Sequence, residues 1–169
     1  MNRFLPLKAY WRERRDLEFY EVVIKLAKEY VPSGKSVIDV GAHNTEVLLR
    51  LEGFDYRVGL DKTYPPQRRG IKSIKMHFMR YRPEVYFDLV LCLQVLEHLK
   101  DPEAFAQKLL QTGETIIVSV PYQWPEGSCE SHIQDPVDDR KLASSVQRAP
   151  AERLIVANGV ERLIAVYQN

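Results

Sequence analysis

Glycine is scarce in this chain of 169 residues, with only 8, against roughly 7% in an average protein. The G-x-G-x-x-G turn that carries a pyrophosphate is absent, so dinucleotide binding is a poor fit. The lysine and serine of a P-loop are missing too, as is the G-x-S-x-G elbow of the hydrolases. Cysteine is nearly absent. Cys92 and Cys129 stand in unrelated contexts without metal or redox spacing, which leaves no basis for a disulfide framework or a zinc knuckle. No run of 18 apolar residues occurs, and Met1 to Lys8 lacks the apolar core of a secretory signal, so neither a membrane span nor export is expected. Charge of one sign does not dominate, with 24 basic against 23 acidic side chains. These absences point to a reduced, cytoplasmic protein of one domain spanning residues 1–169, with 1–32 as an N-terminal helical segment.

What is present alternates between two periodicities. Leu17, Tyr20, Val23, Ile24 and Ala27 recur at helical spacing between Arg14 and Lys28, and Pro32 and Gly34 end that helix. Ser36 to Val40 reads as a strand, followed by Gly41, a helix over Val47 to Leu51 capped by Asn44 or Thr45, and a second strand over Tyr56 to Asp61. Strand, helix and strand in so short a span form a βαβ unit, which implies a parallel sheet. A third strand is expected near Ser73 to Phe78 and a buried fourth over Phe87 to Leu93. Asp101, Pro102 and Glu103 open a helix that Gly113 is expected to stop, and Thr115 to Val120 is a fifth strand broken by Pro121. A short helix from about Asp138 to Val146 precedes two apolar runs joined by Asn158-Gly159, a strong hairpin signal. Because both arms are apolar, the hairpin is expected to lie within the sheet with both faces covered. The resulting class is α/β, a doubly wound and mostly parallel seven-stranded sheet ending in an antiparallel hairpin.

In such a sheet the ligand sits beyond the carboxyl ends of the strands, at the point where strand order reverses. The residues standing there are Asp39, Gly41, Ala42 and His43 after the first strand, Asp61 and Lys62 after the second, Leu93, Gln94, Glu97 and His98 after the fourth, and Tyr122 and Trp124 after the fifth. An acid closing the second strand about 20 residues beyond the glycine loop is suited to two ribose hydroxyls. The ligand implied is a nucleoside without phosphates.

Val37-Ile38-Asp39-Val40-Gly41-Ala42, then Gly59-Leu60-Asp61, then Phe87-Asp88-Leu89-Val90-Leu91-Cys92-Leu93-Gln94-Val95-Leu96-Glu97-His98-Leu99 closely resembles the class I S-adenosylmethionine-dependent methyltransferases, especially their small-molecule, type 11 branch. The resemblance implies S-adenosyl-L-methionine as cofactor. It assigns Asp39 with Gly41 to the methionine part, Asp61 to the ribose, and Leu93 with Gln94 to the neighbourhood of the sulfonium, and Ala42, His43 and Lys62 beside them are further cofactor-binding candidates. Two positions depart from the family. Where its loop reads G-x-G-x-G, this chain has Gly41, His43 and Thr45, so either the loop is reshaped or His43 contacts the cofactor. No acid lies between Asp61 and Glu84 to accept the adenine amino group, which leaves packing by Met76, Phe78 and Met79, or backbone groups.

A sulfonium is an activated donor, so methyl transfer asks mainly for an acceptor held in line, plus a base where the acceptor is a hydroxyl. His132, oriented by Asp135, and His98 are the candidate catalytic residues, with His98 also readable as a loop-fixing group. His77 reads as a packed residue. Tyr122 and Trp124 are candidate walls of an acceptor pocket. The chain is too short for a separate lid, so that pocket must come from the N-terminal helix, the loop from Tyr122 to Asp135, or a neighbouring subunit of a homo-oligomer. No metal site is read from the sequence; His132, Asp135 and Asp138 are the nearest approach to one. Lys62 to Arg82 holds seven basic residues and no acid, which reads as a solvated face. The preferred acceptor is a small molecule, such as a sugar or metabolite hydroxyl. The rivals are a catalytically silent binding module and an RNA methyltransferase using the basic stretch. The Asn/Asp-Pro-Pro-Tyr motif of amino-methylating nucleic-acid enzymes is absent after the fourth strand.

Overall fold

The computed structural model describes residues 17–158 and 160–169; the first half of the expected N-terminal helical segment, and Gly159 of the hairpin turn, lie outside them. Among the described residues three α-helices and seven strands follow in this order, with no α-helix between β1 and β4: α1 (Glu18–Tyr30), β1 (Ser36–Val40), β2 (Tyr56–Asp61), β3 (Lys72–Lys75), β4 (Phe87–Leu93), α2 (Pro102–Leu110), β5 (Gly113–Pro121), α3 (Asp139–Val146), β6 (Glu152–Asn158) and β7 (Val160–Gln168). No described helix is long and apolar enough to cross a membrane. The strands form one sheet in the order β3-β2-β1-β4-β5-β7-β6. All pairs are parallel except β5 with β7 and β7 with β6.

The period-2 alternation of the strands builds two cores. Ile38, Val90, Cys92, Ile116, Val118, Leu163 and Tyr167 face α2 and α3. Val37, Leu89, Leu91, Ile117, Ile164 and Val166 face α1. Strand β1 has β2 on one side and β4 on the other, so the connections leave it in opposite directions. The crevice this creates opens at the carboxyl ends of β1 and β4.

Several boundaries differ from the sequence reading. Between β1 and β2 there is a 3-10 turn over Val47–Arg50 in place of a capped helix, and its cap position, Glu46, makes no side-chain capping bond. Asn44 and Thr45 therefore belong to the loop. Strand β3 ends at Lys75, and Phe78 lies in a second 3-10 turn capped by His77, whose Nδ1 accepts from the Met79 N–H. His77 is exposed and not packed. Helix α2 stops at Leu110 without Gly113, which instead opens β5: a Cβ there would stand 2.4 Å from the Phe87 carbonyl oxygen. Pro121 does not break β5, being its last paired residue, opposite Arg162. Only one arm of the hairpin is covered on both faces. β7 lies between β5 and β6, whereas β6 is the sheet edge and leaves Ile155 exposed.

Helix α3 ends on Gln147 in a left-handed conformation, φ 54° and ψ 32°, a position that glycine fills in many helices. A side chain there costs about 1 kcal/mol. Gln147→Gly is thus expected to raise the stability by roughly that amount less a few tenths for its contact with Glu103, read as a higher urea midpoint with unchanged m-value.

Candidate functional site

At the switch point the strand ends surround a cavity of about 670 Å³, within the range of small-molecule sites. Its lining includes Asp39, Gly41, Ala42, His43, Asp61, Lys62, Leu93, Gln94, His98, Trp124 and His132, which the sequence had scattered over almost a hundred positions. Met76 and Phe78 also line it, while Met79 does not and is exposed.

Two of the lining residues are buried acids. Asp39 is 3% exposed. Burial, reinforced by the negative charge of Asp61, pushes its carboxyl up to about 7. Asp61 is an organiser of backbone: Oδ2 accepts from the His43 N–H at 3.0 Å, and Oδ1 accepts from Thr63 at 2.7 Å and Tyr64 at 2.8 Å. The β1 loop is tied to β2 by the Gly41 and Ala42 N–H groups, both donating to the Leu60 carbonyl. Gly41 has φ 77° and His43 φ 46°, so the loop keeps glycine-like backbone at a position occupied by histidine. That histidine lines the cavity and meets the Tyr64 ring edge-on, with 5.5 Å between centroids. Gln94 is left-handed too, with φ 57°, its N–H bound to the Ser119 carbonyl and its side-chain amide to the Ser119 hydroxyl. These bonds turn the chain sharply after β4 and bring Val95 against Gly41.

Among the other lining residues two histidines come together. His132 Nδ1 lies 2.7 Å from Asp135 Oδ2, with the two side chains only 7% and 2% exposed. His98 Nδ1 lies 2.9 Å from the Ser131 carbonyl oxygen. The two imidazoles meet edge to face at 4.7 Å, and His132 stacks on Trp124 at 5.6 Å. Burial holds His98 below the usual histidine range, aided by His132. Glu97, 1% exposed, is buried beneath them. Neither of its carboxylate oxygens has a hydrogen-bond partner among the described residues, and burial pushes it up to about 8. Its backbone carbonyl accepts from Ile133 and Gln134, which anchors the loop carrying His132 to the turn after β4.

One sequence expectation needs correction here. Tyr122 is not a cavity wall: it keeps the parity of Val118 and Val120 and packs on the α2 and α3 side, its hydroxyl donating to Asp139 and its ring under Arg153. Asp138 is not near a metal-like trio with His132 and Asp135, because it caps α3 through the Lys141 N–H. The cluster that does form is Glu97, His98 and His132, each offering one donor atom within 4.8 Å of the others. Residues the sequence reading did not place at the site are Leu17, Phe19, Tyr20, Cys129, Ser131 and Arg162. For Phe19 and Tyr20 the signal was available as two aromatics beginning a helix; for Arg162, which lies over the Phe19 ring at 4.8 Å, only the pairing of β5 with β7 reveals it. The start of α1 and the loop after β5 thus wall the cavity without a separate lid.

No curated protein matches the sequence. Among solved structures, the chain is similar to a 1,6-didemethyltoxoflavin-N1-methyltransferase from Burkholderia thailandensis, with 14% identity, a TM-score of 0.70, and coverage of 99% of this chain and 92% of that one; that structure contains 1,6-didemethyltoxoflavin and S-adenosylhomocysteine. The N-methyltransferase NodS from Bradyrhizobium japonicum, in complex with S-adenosylhomocysteine, matches at 12% identity and a TM-score of 0.70 over 94% and 91% of the two chains. The N-terminal domain of EvdMO1 with S-adenosylhomocysteine bound matches at 15% and 0.63 over 88% and 80%. At such identities the likeness concerns the fold, the seven-stranded Rossmann-like sheet described above. The sequence itself matches the family described as "Methyltransferase domain" over residues 10–153, most of the chain, and this protein therefore belongs to the methyltransferase domain family.

Proposed function

We propose that this protein transfers a methyl group from S-adenosylmethionine to a hydroxyl of a small molecule, such as a sugar or metabolite. The observation that carries the reading is one cavity lined by two chemically different groups: the buried acids Asp39 and Asp61 at β1 and β2, and the cluster of His98 and His132. The acids suit the cofactor. A carboxyl buried as deeply as Asp39 is stabilised in its charged form only by a cation, and the methionine ammonium supplies one. The backbone of Gly41, Ala42 and His43 lies beside it. Asp61 has about four lone-pair sites, three of them taken by backbone N–H groups. It therefore has room for one ribose hydroxyl, not the two the sequence alone suggested. Leu93 and Gln94 fall at the sulfonium, and Met76 and Phe78 offer apolar surface to adenine.

When bound, the cofactor supplies a methyl group already activated on a positive sulfur. The chain's own task is to fix the acceptor in line at about 3–3.5 Å, an arrangement worth roughly 7–11 kcal/mol of barrier, and to deal with its hydroxyl proton. Trp124 and the α1 residues Phe19 and Tyr20 supply the acceptor's walls. His132, held through Nδ1 by Asp135, is the residue that acts on that hydroxyl, and His98 fixes the Ser131 backbone beside it. Titration calorimetry with S-adenosylhomocysteine tests the cofactor half. Saturable one-to-one binding is expected, at least about tenfold weaker in Asp61→Ala, which loses one charge-assisted hydrogen bond to the ligand and the three that hold the loop backbone. No heat of binding at millimolar ligand would overturn the reading.

A further inference from the structure

We propose that Glu97, His98 and His132 form a binding site for one divalent first-row transition cation, facing the cavity. Three features converge on it. The first is proximity: one donor atom from each residue lies within 4.8 Å of the others, with His98 Nε2 3.9 Å from Glu97 Oε1. Ligands about 2.1 Å from a shared ion stand roughly 3–4 Å apart, so the trio closes on a cation by moving about 1 Å. The second is the tautomer. Nδ1 of His132 is taken by Asp135 and Nδ1 of His98 by the Ser131 carbonyl. Each neutral imidazole thus carries its hydrogen on Nδ1 and keeps a lone pair on Nε2, the arrangement in which a carboxylate or carbonyl orients a metal-bound histidine. The third is Glu97, an acid 1% exposed whose two oxygens have no hydrogen-bond partner among the described residues, the charge of Arg162 acting on it without such a bond. Buried carboxylates are paired or bind metal.

Two imidazoles and one carboxylate match the donor set that holds zinc, iron, cobalt or manganese at catalytic sites with open positions, and all three residues line the cavity. The role of the ion, though not its binding, rests on the methyl-transfer reading. The acceptor hydroxyl would take an open position on the cation, which lowers its pKa, and lose its proton to solvent water. The acceptor oxygen then bonds to the methyl carbon, and the carbon–sulfur bond breaks with its electron pair left on sulfur. Products are the methyl ether, a neutral thioether and one proton. On this assignment His132 acts on the hydroxyl through the cation and does not itself take the proton.

The test is titration of the chelator-treated full chain with Co²⁺, followed by visible absorption, and with Zn²⁺ by calorimetry. One equivalent is expected to bind, with d–d bands of a four- or five-coordinate nitrogen and oxygen site. His98→Ala and Glu97→Gln should weaken the affinity at least 100-fold. Asp135→Asn, which leaves all three ligands in place, should weaken it 10- to 100-fold. Each variant should bind S-adenosylhomocysteine within about threefold of wild type, which shows that it is folded. A wild-type protein that binds the thioether but no metal overturns the site and spares the methyltransferase reading; one that binds metal but no thioether does the reverse. Metal affinity unchanged in both His98→Ala and Glu97→Gln also overturns the site.

Discussion

Replacing Asp39 by Asn is expected to weaken S-adenosylhomocysteine binding at pH 8 by about 100-fold, while making the ligand-free protein more stable at that pH by about 3 kcal/mol. The two effects have one origin. In the unfolded chain this carboxyl loses its proton near the ordinary aspartate value, about 4; in the folded protein burial and the charge of Asp61 hold the proton until about 7. Between those values the folded state binds more protons than the unfolded one, so stability falls as pH rises from about 4 to 7 and is flat above. A shift of this size corresponds to roughly 4 kcal/mol, of which the buried amide of Asn recovers most. Urea unfolding of ligand-free protein at pH 5 and pH 8 measures this: the decline should be larger in wild type than in Asp39→Asn, which keeps the part contributed by Glu97, pushed up to about 8. Ligand reverses the sign, because an ammonium beside Asp39 favours the carboxylate. Affinity should therefore rise between pH 6 and 8, with release of a fraction of a proton near pH 6.5. Calorimetry in two buffers of different ionisation enthalpy detects that release. Losing one partner of a buried charge pair costs 2–5 kcal/mol, hence the 100-fold. Equal affinities in the variant and wild type, or no proton release, would remove Asp39 from the cofactor site.

The sequence carries the ends of the strands better than the faces they present. Phe87 to Leu93 and Tyr56 to Asp61 are legible because short, mainly apolar runs, interrupted by Asp88 in one and Arg57 in the other, read at that length as buried strands, and the residues at their ends stand at the crevice. That logic located Asp39, Asp61 and Gln94. It could not locate Tyr122, because which way a side chain leaves the sheet after Pro121 depends on the parity continued from Val120, and the turn that follows is set by contacts with α3. Nor could it show that β6 is an edge, since apolar composition is the same for a strand covered on both faces and one covered on a single face. Glu97, His98 and His132 come together because the loop after β5 is bound to the turn after β4 by the Ile133 and Gln134 N–H groups on the Glu97 carbonyl, by His98 with the Ser131 carbonyl, and by Gln134 with the Leu99 carbonyl, pairings over more than thirty residues with no local signature. The glycine shortage was visible, but not its resolution. His43 occupies the left-handed conformation at φ 46°, where histidine is tolerated better than most residues, and its N–H is held by Asp61.

Gly41 is the remaining glycine of that loop, and Gly41→Ala is expected to cost about 3 kcal/mol and to reduce S-adenosylhomocysteine affinity by more than tenfold. Two costs add. At φ 77° an L side chain is strained, by about 1–2 kcal/mol. The added Cβ would also stand 2.5 Å from Val95 Cγ2, and forced overpacking costs typically about 1–3 kcal/mol. Neither partner can retreat freely. The Gly41 and Ala42 N–H groups are bound to the Leu60 carbonyl, and Val95 follows Gln94, whose own N–H is fixed to Ser119. Relief of the clash must therefore move the β1 loop, the turn after β4, or both, and these carry the groups proposed to meet the methionine and the sulfonium. The two costs separate in a double-mutant cycle with Val95→Ala. Truncating Val95 removes the steric part and leaves the dihedral part, so the double variant should be more stable than the sum of the single changes by about 1–2 kcal/mol while remaining below Val95→Ala alone. Additive stabilities would mean that the loop yields without touching Val95. A Gly41→Ala protein with wild-type stability and affinity would mean that this one retained glycine is not what holds the loop in shape.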